Sequence, residues 1–366
     1  MKIAYMLGSL NRGGTETLLL DYFQHSTQAE FPFIGIYRKE GQLSDAFQNT
    51  AVPLFKLFPE HRLDIRYLFK LRKLIKQQSI TTIHAQQPLD ALYARLACLG
   101  MRAKTVLTLH GYDVDLSKMD ASILRLAMRA ADVTICVSNT QKVHYQQKYS
   151  LASNKTRTLY NGISFEKIDK AKVTDIRQEL HLPKEVMLLG SVGNFVPGRD
   201  QMTLCRFLKR LHEENVDFRF LFMGAKSKTE PERFEECVRF CAENNLGSNV
   251  FFLGSREDVP SILKQLDAFL YASDHDTFGI AVIEAMASSV PVFVNDWEVM
   301  REITDDGCYA SIYKTKQEGD LWREFNEFLS NPEFHKQKAV QAAVWVRRQY
   351  SIQSHLKQLK AIYMRL

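Results

Sequence analysis

None of the chain's 366 residues fall in a run of 18 uncharged apolar positions, which excludes a conventional spanning helix. No secretory leader is expected either. "MKIAYMLGSL" opens directly as a strand pattern and leads to the polar Asn11-Arg12, with no h-region and no small-residue cleavage site. A cytoplasmic protein is the expectation. Cysteines are few and scattered: Cys98, Cys136, Cys205, Cys237, Cys241 and Cys308. Cys237 and Cys241 stand four apart on one helix face, yet no second pair with metal-ligand spacing accompanies them, so free thiols are expected. Nucleotide signatures are incomplete. The GxGxxG fingerprint is absent. "GSLNRGGT" (8–15) nearly has P-loop spacing, but Gly14 stands where the phosphate-binding lysine would, leaving no cation for a triphosphate. The one Asp-x-Asp considered, "DVD" (113–115), falls in a loop just after His110 and not at a strand end, so neither a metal nor another cofactor is expected. No tandem repeat or low-complexity tract is visible.

What is present is globular. Apolar content of 45% and charged content of 25% are ordinary, and the length exceeds what one core usually serves, so two domains are expected. Charge divides unevenly. Residues 1–165 hold 21 Lys+Arg against 12 Asp+Glu, or +9, and the remainder carries −3. A basic first half suits an anionic partner.

Short continuous apolar runs alternate with longer amphipathic ones. The candidate strands are 2–7, 33–38, 81–85, 105–110 and 133–138. After "TRTLYNGIS" (156–164) a second series follows at 186–192, 218–224, 250–254, 268–273 and 290–294. Continuous rather than alternating runs suit parallel strands covered on both faces, joined by helical crossovers. The polar segment 165–184 separates the series. The pattern therefore predicts two doubly wound α/β domains facing a central cleft, 1–165 and 166–345.

Five segments carry candidate chemistry. Gly13 and Gly14 precede a helix expected from about Thr15, where bare backbone N–H groups can meet a ligand; a plain tight turn explains them equally. "VGNFVPGRDQMTL" (192–204) repeats this arrangement. Arg199 sits where a helix would begin and could clamp a diphosphate, or be a solvated turn residue. His110 ends a buried strand, the side of an open sheet where ligands sit, though structural histidines occupy such places as well. In "SDHDTFGIAVIEAMA" (273–287), Asp276 lies between a strand and a helix whose first N–H groups, at Phe278, Gly279 and Ile280, would face an anion. Glu284, farther along, could hold a ribose diol, and Asp276 another sugar's hydroxyls. The plainer reading makes Asp276 a helix-dipole partner and Glu284 a solvated residue. Finally, "HRLDIRYLFKLRKLIKQQ" (61–78) is a basic amphipathic helix, read first as packed on the sheet and second as resting on an anionic membrane.

Together these segments resemble the retaining glycosyltransferases of family 4, which have the GT-B fold of two Rossmann-like domains. The signature E-x7-E reads here with Asp276 in the first position and Glu284 in the second, followed by the matching Glu-Ala-Met-Ala run. Thr277 and Ser289 replace usual glycines. Gly13-Gly14, His110 and "LYNGIS" (159–164) match in the expected order. Asn194 and Arg199 stand where many members have Arg and Lys, and Arg256 falls near the run lining the nucleobase pocket. The last helix, about 346–366, resembles one that crosses back to the first domain. The resemblance implies transfer of a sugar from a nucleotide-diphosphate sugar, bound without metal by the second domain, to a glycan or lipid-diphosphate-linked acceptor on the first. Gly13 and Gly14 would serve the acceptor side, with Gly14 also near the donor, and His110 and Asp276 would attend the reacting sugar. Cell-surface polysaccharide synthesis is the implied setting, with a cytoplasmic or peripheral inner-membrane location. Nucleic acid is not an expected partner. Two alternatives remain open at this point: a nucleotide-sugar epimerase of the same fold, and a catalytically impaired sugar-nucleotide-binding or regulatory protein.

Overall fold

The computed structural model describes residues 1–25, 27, 30–61, 64–114, 116–172 and 174–366. Arg62 and Leu63 of the basic segment and Asp115 of the DVD triplet lie outside the described residues. The chain divides into two compact units, Met1–Ile163 with Tyr350–Leu366, and Ser164–Gln349.

The first unit is built on a seven-stranded sheet of β1 (Ile3–Ser9), β2 (Phe33–Lys39), β3 (Leu54–Lys56), β4 (Thr82–Ala85), β5 (Lys104–Leu109), β6 (Val133–Cys136) and β7 (Thr156–Thr158), in spatial order β3-β2-β1-β4-β5-β6-β7. The second holds six strands, β8 (Met187–Val192), β9 (Phe218–Met223), β10 (Val250–Gly254), β11 (Ala268–Tyr271), β12 (Val292–Asn295) and β13 (Ser311–Tyr313), in order β10-β9-β8-β11-β12-β13. All pairings are parallel. Each order reverses once, between β1 and β4 and between β8 and β11. At such a switch point the crossovers leave to opposite faces, and a crevice opens beyond the carboxyl ends of the two strands. Three strands give no apolar run in the sequence: β3, β7 and β13. Each has three residues, too few to make a run, and lies at a sheet edge with one neighbour.

The cores explain the runs. In the first unit Tyr22, Phe23 and Phe47 cover one face of the sheet, and Tyr67, Leu71, Ile75 and Tyr93 cover the other. In the second, Phe218, Phe220 and Phe222 alternate along β9 onto one face and meet Phe195, Phe207 and Phe325. Each ring removed from water contributes about 1.5–3 kcal/mol. Cys205 joins Cys237 and Cys241 in this core, a thiol trio that hydrogen-bonds internally. All six cysteines are free.

The terminal segment returns to the first unit. Ile163 N–H donates to Tyr350 O at 2.7 Å and Ile352 N–H to Ile163 O at 3.1 Å. Ser351 then caps the helix Ile352–Met364. Its Tyr363 hydroxyl lies 2.5 Å from His84 Nδ1, while His84 Nε2 meets Thr108 Oγ1 at 2.6 Å. Burial pushes His84 down to about 3, so this ring is neutral and its two nitrogens share one proton with hydroxyl partners.

Candidate active site

In the second unit the loops after β8 and β11, which flank the switch point, are laced together. Arg199 and Ser273 form an antiparallel bridge. Ser273 Oγ donates to Gly198 O at 2.8 Å, and the Asn295 side chain spans Ser273 N and O at 2.9 and 2.7 Å. This lacing brings Arg199 Nη1 to 2.5 Å from Asp276 Oδ2. Both side chains are about four-fifths buried, at 21% and 18% exposure. Burial raises the Asp276 carboxyl above its ordinary value, and the attraction of Arg199 offsets this only in part. Tyr271, at the end of β11, donates its hydroxyl to the same Asp276 oxygen, and Trp297 Nε1 donates to Asp276 O at 3.0 Å. Sequence reading missed Tyr271.

The local geometry corrects one expectation. The helix after β8 begins at Gln201, not at Arg199. Asp200 caps it, accepting from Thr203 N at 3.2 Å and Thr203 Oγ1 at 2.6 Å. A carboxylate therefore occupies that helix start, and Arg199 lies two residues before its first residue. Gly279 does cap the helix Ile280–Ala287, and no side chain caps that start. The backbone requires a glycine there. Its φ is 78°, and a Cβ there would lie 2.8 Å from Met300 Cε and 3.0 Å from Ile303 Cδ1. Phe278 packs inward with 2% exposure, and Ile280 and Glu284 are half-buried.

Two further candidates hold structural partners. Asn194 Oδ1 accepts from Ala225 N at 2.8 Å, tying the β8 loop to the end of β9. Arg256 uses four of its five N–H groups on Glu179 and Asp258, at 2.6–2.9 Å. Bidentate pairing of this kind holds the guanidinium in place and leaves little of it for a nucleobase.

In the first unit, His110 lies just past β5 in a cavity of about 310 Å³ that also takes in Gly8, Thr15, Glu16, Gln86 and Thr108. Burial holds the imidazole down at about 4, so it is neutral near pH 7, and its Nε2 donates to Gln86 Oε1 at 2.7 Å. Gln86 is buried, and its Nε2 has no partner. Sequence reading passed it over, because a glutamine carries no pattern of its own. The loop after His110 is clamped: Gln141 and Tyr145 donate to Gly111 O at 2.9 Å each. Asp113 accepts from Lys148 at 2.8 Å, His144 at 2.9 Å and Tyr149. Gly13 is the extended residue before the helix Gly14–Gln24, with φ −150°, a conformation open to any residue. A Cβ on Gly14 would meet nothing within 4 Å. The basic segment forms the helix Ile65–Gln77, with Tyr67, Leu71 and Ile75 buried on the sheet. Ile65 and Phe69 stand 67% and 69% exposed. No helix among the described residues is long and apolar enough to cross a membrane.

Two parallel sheets with alternating helices are an architecture shared with known proteins. Residues 12–167 match the family model described as Glycosyltransferase Family 4, and residues 172–344 match Glycosyl transferases group 1. The chain belongs to the family 4, group 1 glycosyltransferases. This glycosyltransferase is 22% identical over 323 residues to the N-acetyl-alpha-D-glucosaminyl L-malate synthase of Bacillus anthracis, covering 87% of this chain and 83% of the relative. It is 24% identical over 311 residues to the UDP-Gal:alpha-D-GlcNAc-diphosphoundecaprenol alpha-1,3-galactosyltransferase of Escherichia coli, covering 81% and 79%. Its fold, GT-B, matches the crystal structure of Anabaena Alr3699/HepE in complex with UDP, with a TM-score of 0.88 at 18% identity over 100% of both chains.

Proposed function

We propose that this glycosyltransferase moves a sugar from a nucleoside-diphosphate sugar to a glycan or lipid-diphosphate-linked acceptor, with retention at the anomeric carbon and without a metal. The observation that carries the reading is the juxtaposition of Arg199, Asp276 and the uncapped start of the helix bearing Glu284 at the second switch point. Arg199 and those N–H groups would receive the diphosphate and stabilise it as a leaving group. Glu284 would accept hydrogen bonds from the ribose diol. Arg256, already engaged, would shape the base pocket through its ion pairs. Asn194 would support the loop rather than touch phosphate.

The first unit would hold the acceptor. A neutral His110, with its proton placed by Gln86, is suited to hydrogen bonding and not to nucleophilic attack. Open space over Gly14 leaves room for a sugar or phosphate. Retention would follow a same-face route in which a departing phosphate oxygen takes the acceptor's proton. The known complex of HepE with UDP supports a uridine donor, and the E. coli relative's name supports an acceptor on a diphosphate-linked lipid. The +9 charge of residues 1–165 suits such an acceptor, and the exposed Ile65 and Phe69 among basic residues suit peripheral contact with an anionic membrane surface. Assembly of a cell-surface polysaccharide is the fitting role.

A thermal-shift screen with UDP-, GDP-, ADP- and CMP-sugars tests the donor assignment, because binding raises the melting point by mass action. One class should stabilise the protein, and Glu284→Ala should weaken it by about 1–3 kcal/mol. No shift with any donor at millimolar concentration sinks the reading. Formation of an epimer from the donor alone would replace it with epimerase chemistry.

A further inference from the structure

Tyr271 closes β11 with 2% of its surface exposed. An apolar residue would satisfy packing there, whereas a buried phenol must also find a partner for its hydroxyl. Its partner is Asp276 Oδ2, the atom that also accepts from Arg199 Nη1 at 2.5 Å. The Arg199 guanidinium carbon in turn lies 4.7 Å from the centre of the Tyr271 ring. Three contacts thus close on themselves: hydroxyl to carboxylate, carboxylate to guanidinium, guanidinium to ring face. The group is anchored from outside as well. Tyr313 donates its hydroxyl to Tyr271 O at 2.8 Å, and Trp297 holds the Asp276 carbonyl.

We infer that Tyr271 is a positioning residue for the donor clamp: its ring seats Arg199, and its hydroxyl retains Asp276 when Arg199 turns to phosphate. This rests on the donor site proposed above. Without ligand, Asp276 neutralises Arg199. A diphosphate that engages Arg199 removes the carboxylate's cation and brings negative charge beside it. A largely buried carboxylate in that position must keep hydrogen-bond donors or take up a proton. The Tyr271 hydroxyl is the side-chain donor it keeps. The hydroxyl therefore matters more with diphosphate bound than without it. A hydrogen bond that served the fold alone would affect both states equally and leave affinity untouched.

The test is calorimetric titration of wild type, Tyr271→Phe, Asp276→Asn and the double variant with UDP, inorganic pyrophosphate and uridine. Tyr271→Phe, which keeps the ring, should weaken UDP and pyrophosphate about five- to tenfold and uridine less than about twofold. Asp276→Asn removes the competing charge and should tighten the two anions. In that background Tyr271→Phe should cost less than about twofold. Tyr271→Leu, which also removes the seat for Arg199, should weaken the anions beyond Tyr271→Phe. Equal losses for UDP and uridine, or an undiminished Tyr271→Phe effect in the Asp276→Asn background, overturn the inference while leaving the donor site standing. Failure of the wild type to bind either anion removes both.

Discussion

Replacing Arg199 by methionine isolates the most consequential contact of the second unit. Methionine keeps the length and most of the volume but deletes the charge 2.5 Å from Asp276. Removing one partner of a fully buried ion pair costs about 3–5 kcal/mol, because the other charge is stranded. Here the side chains retain 21% and 18% exposure, and Tyr271 still donates to the carboxylate, so the expected cost is lower. We expect Arg199→Met to destabilise the second unit by about 2 kcal/mol at pH 7. Asp276→Asn alone should cost about 1 kcal/mol, since a stranded arginine can reach water with its long stem. The double variant should recover about 1 kcal/mol relative to the sum of the two, as expected for groups in direct contact. The assay is favoured by composition. All three tryptophans, Trp297, Trp322 and Trp345, lie in Ser164–Gln349, so urea unfolding followed by tryptophan fluorescence reports this unit alone. An unchanged midpoint for Arg199→Met, or additive costs in the double variant, would refute the argument that Asp276 depends on Arg199.

Asp113 gives a pH-dependent prediction. Burial pushes its carboxyl up, but hydrogen bonds from Lys148, Tyr149 and His144 outweigh this and hold it at about 2. A depressed carboxyl stabilises the fold above its unfolded value and loses that contribution as pH falls through the folded one. Asp113→Asn should therefore cost about 2 kcal/mol at pH 7, with the deficit shrinking as pH falls from about 4 toward 2. Far-ultraviolet circular dichroism during urea unfolding, with the tryptophan signal marking the second unit's share, would check it; a deficit independent of pH contradicts the ion pairing. Gly279→Ala should destabilise the second unit by about 2 kcal/mol, combining the left-handed backbone penalty with displacement of Met300. A fluorescence-detected midpoint within experimental error of wild type would show that the backbone relaxes freely there.

Much of this molecule is written locally. Continuous apolar runs such as Phe218–Met223 mark parallel strands because such strands are covered on both faces, and this holds wherever they lie in the sheet. The helix opening at Thr-Phe-Gly was legible locally as well, whereas the left-handed φ of 78° at Gly279 came only from the structure. Edge strands such as Thr156–Thr158 were not legible, since a single hydrogen-bonded neighbour imposes no apolar pattern on three residues.

The partners of charged groups were decided by tertiary structure alone. Arg199 and Asp276 are 77 residues apart, and Arg256 and Glu179 equally so. In sequence all four are simply charges near turns. Strand order makes the difference: β8 and β11 are neighbours only because the chain reverses between them, which sets Arg199 against Asp276 and Tyr271. The same holds for Cys205 beside Cys237 and Cys241, and for Tyr363 at His84. Sequence determined which segments become strands and helices, because burial and backbone conformation are imposed residue by residue. Structure determined which charge each charge meets, because that depends on where distant segments are brought side by side.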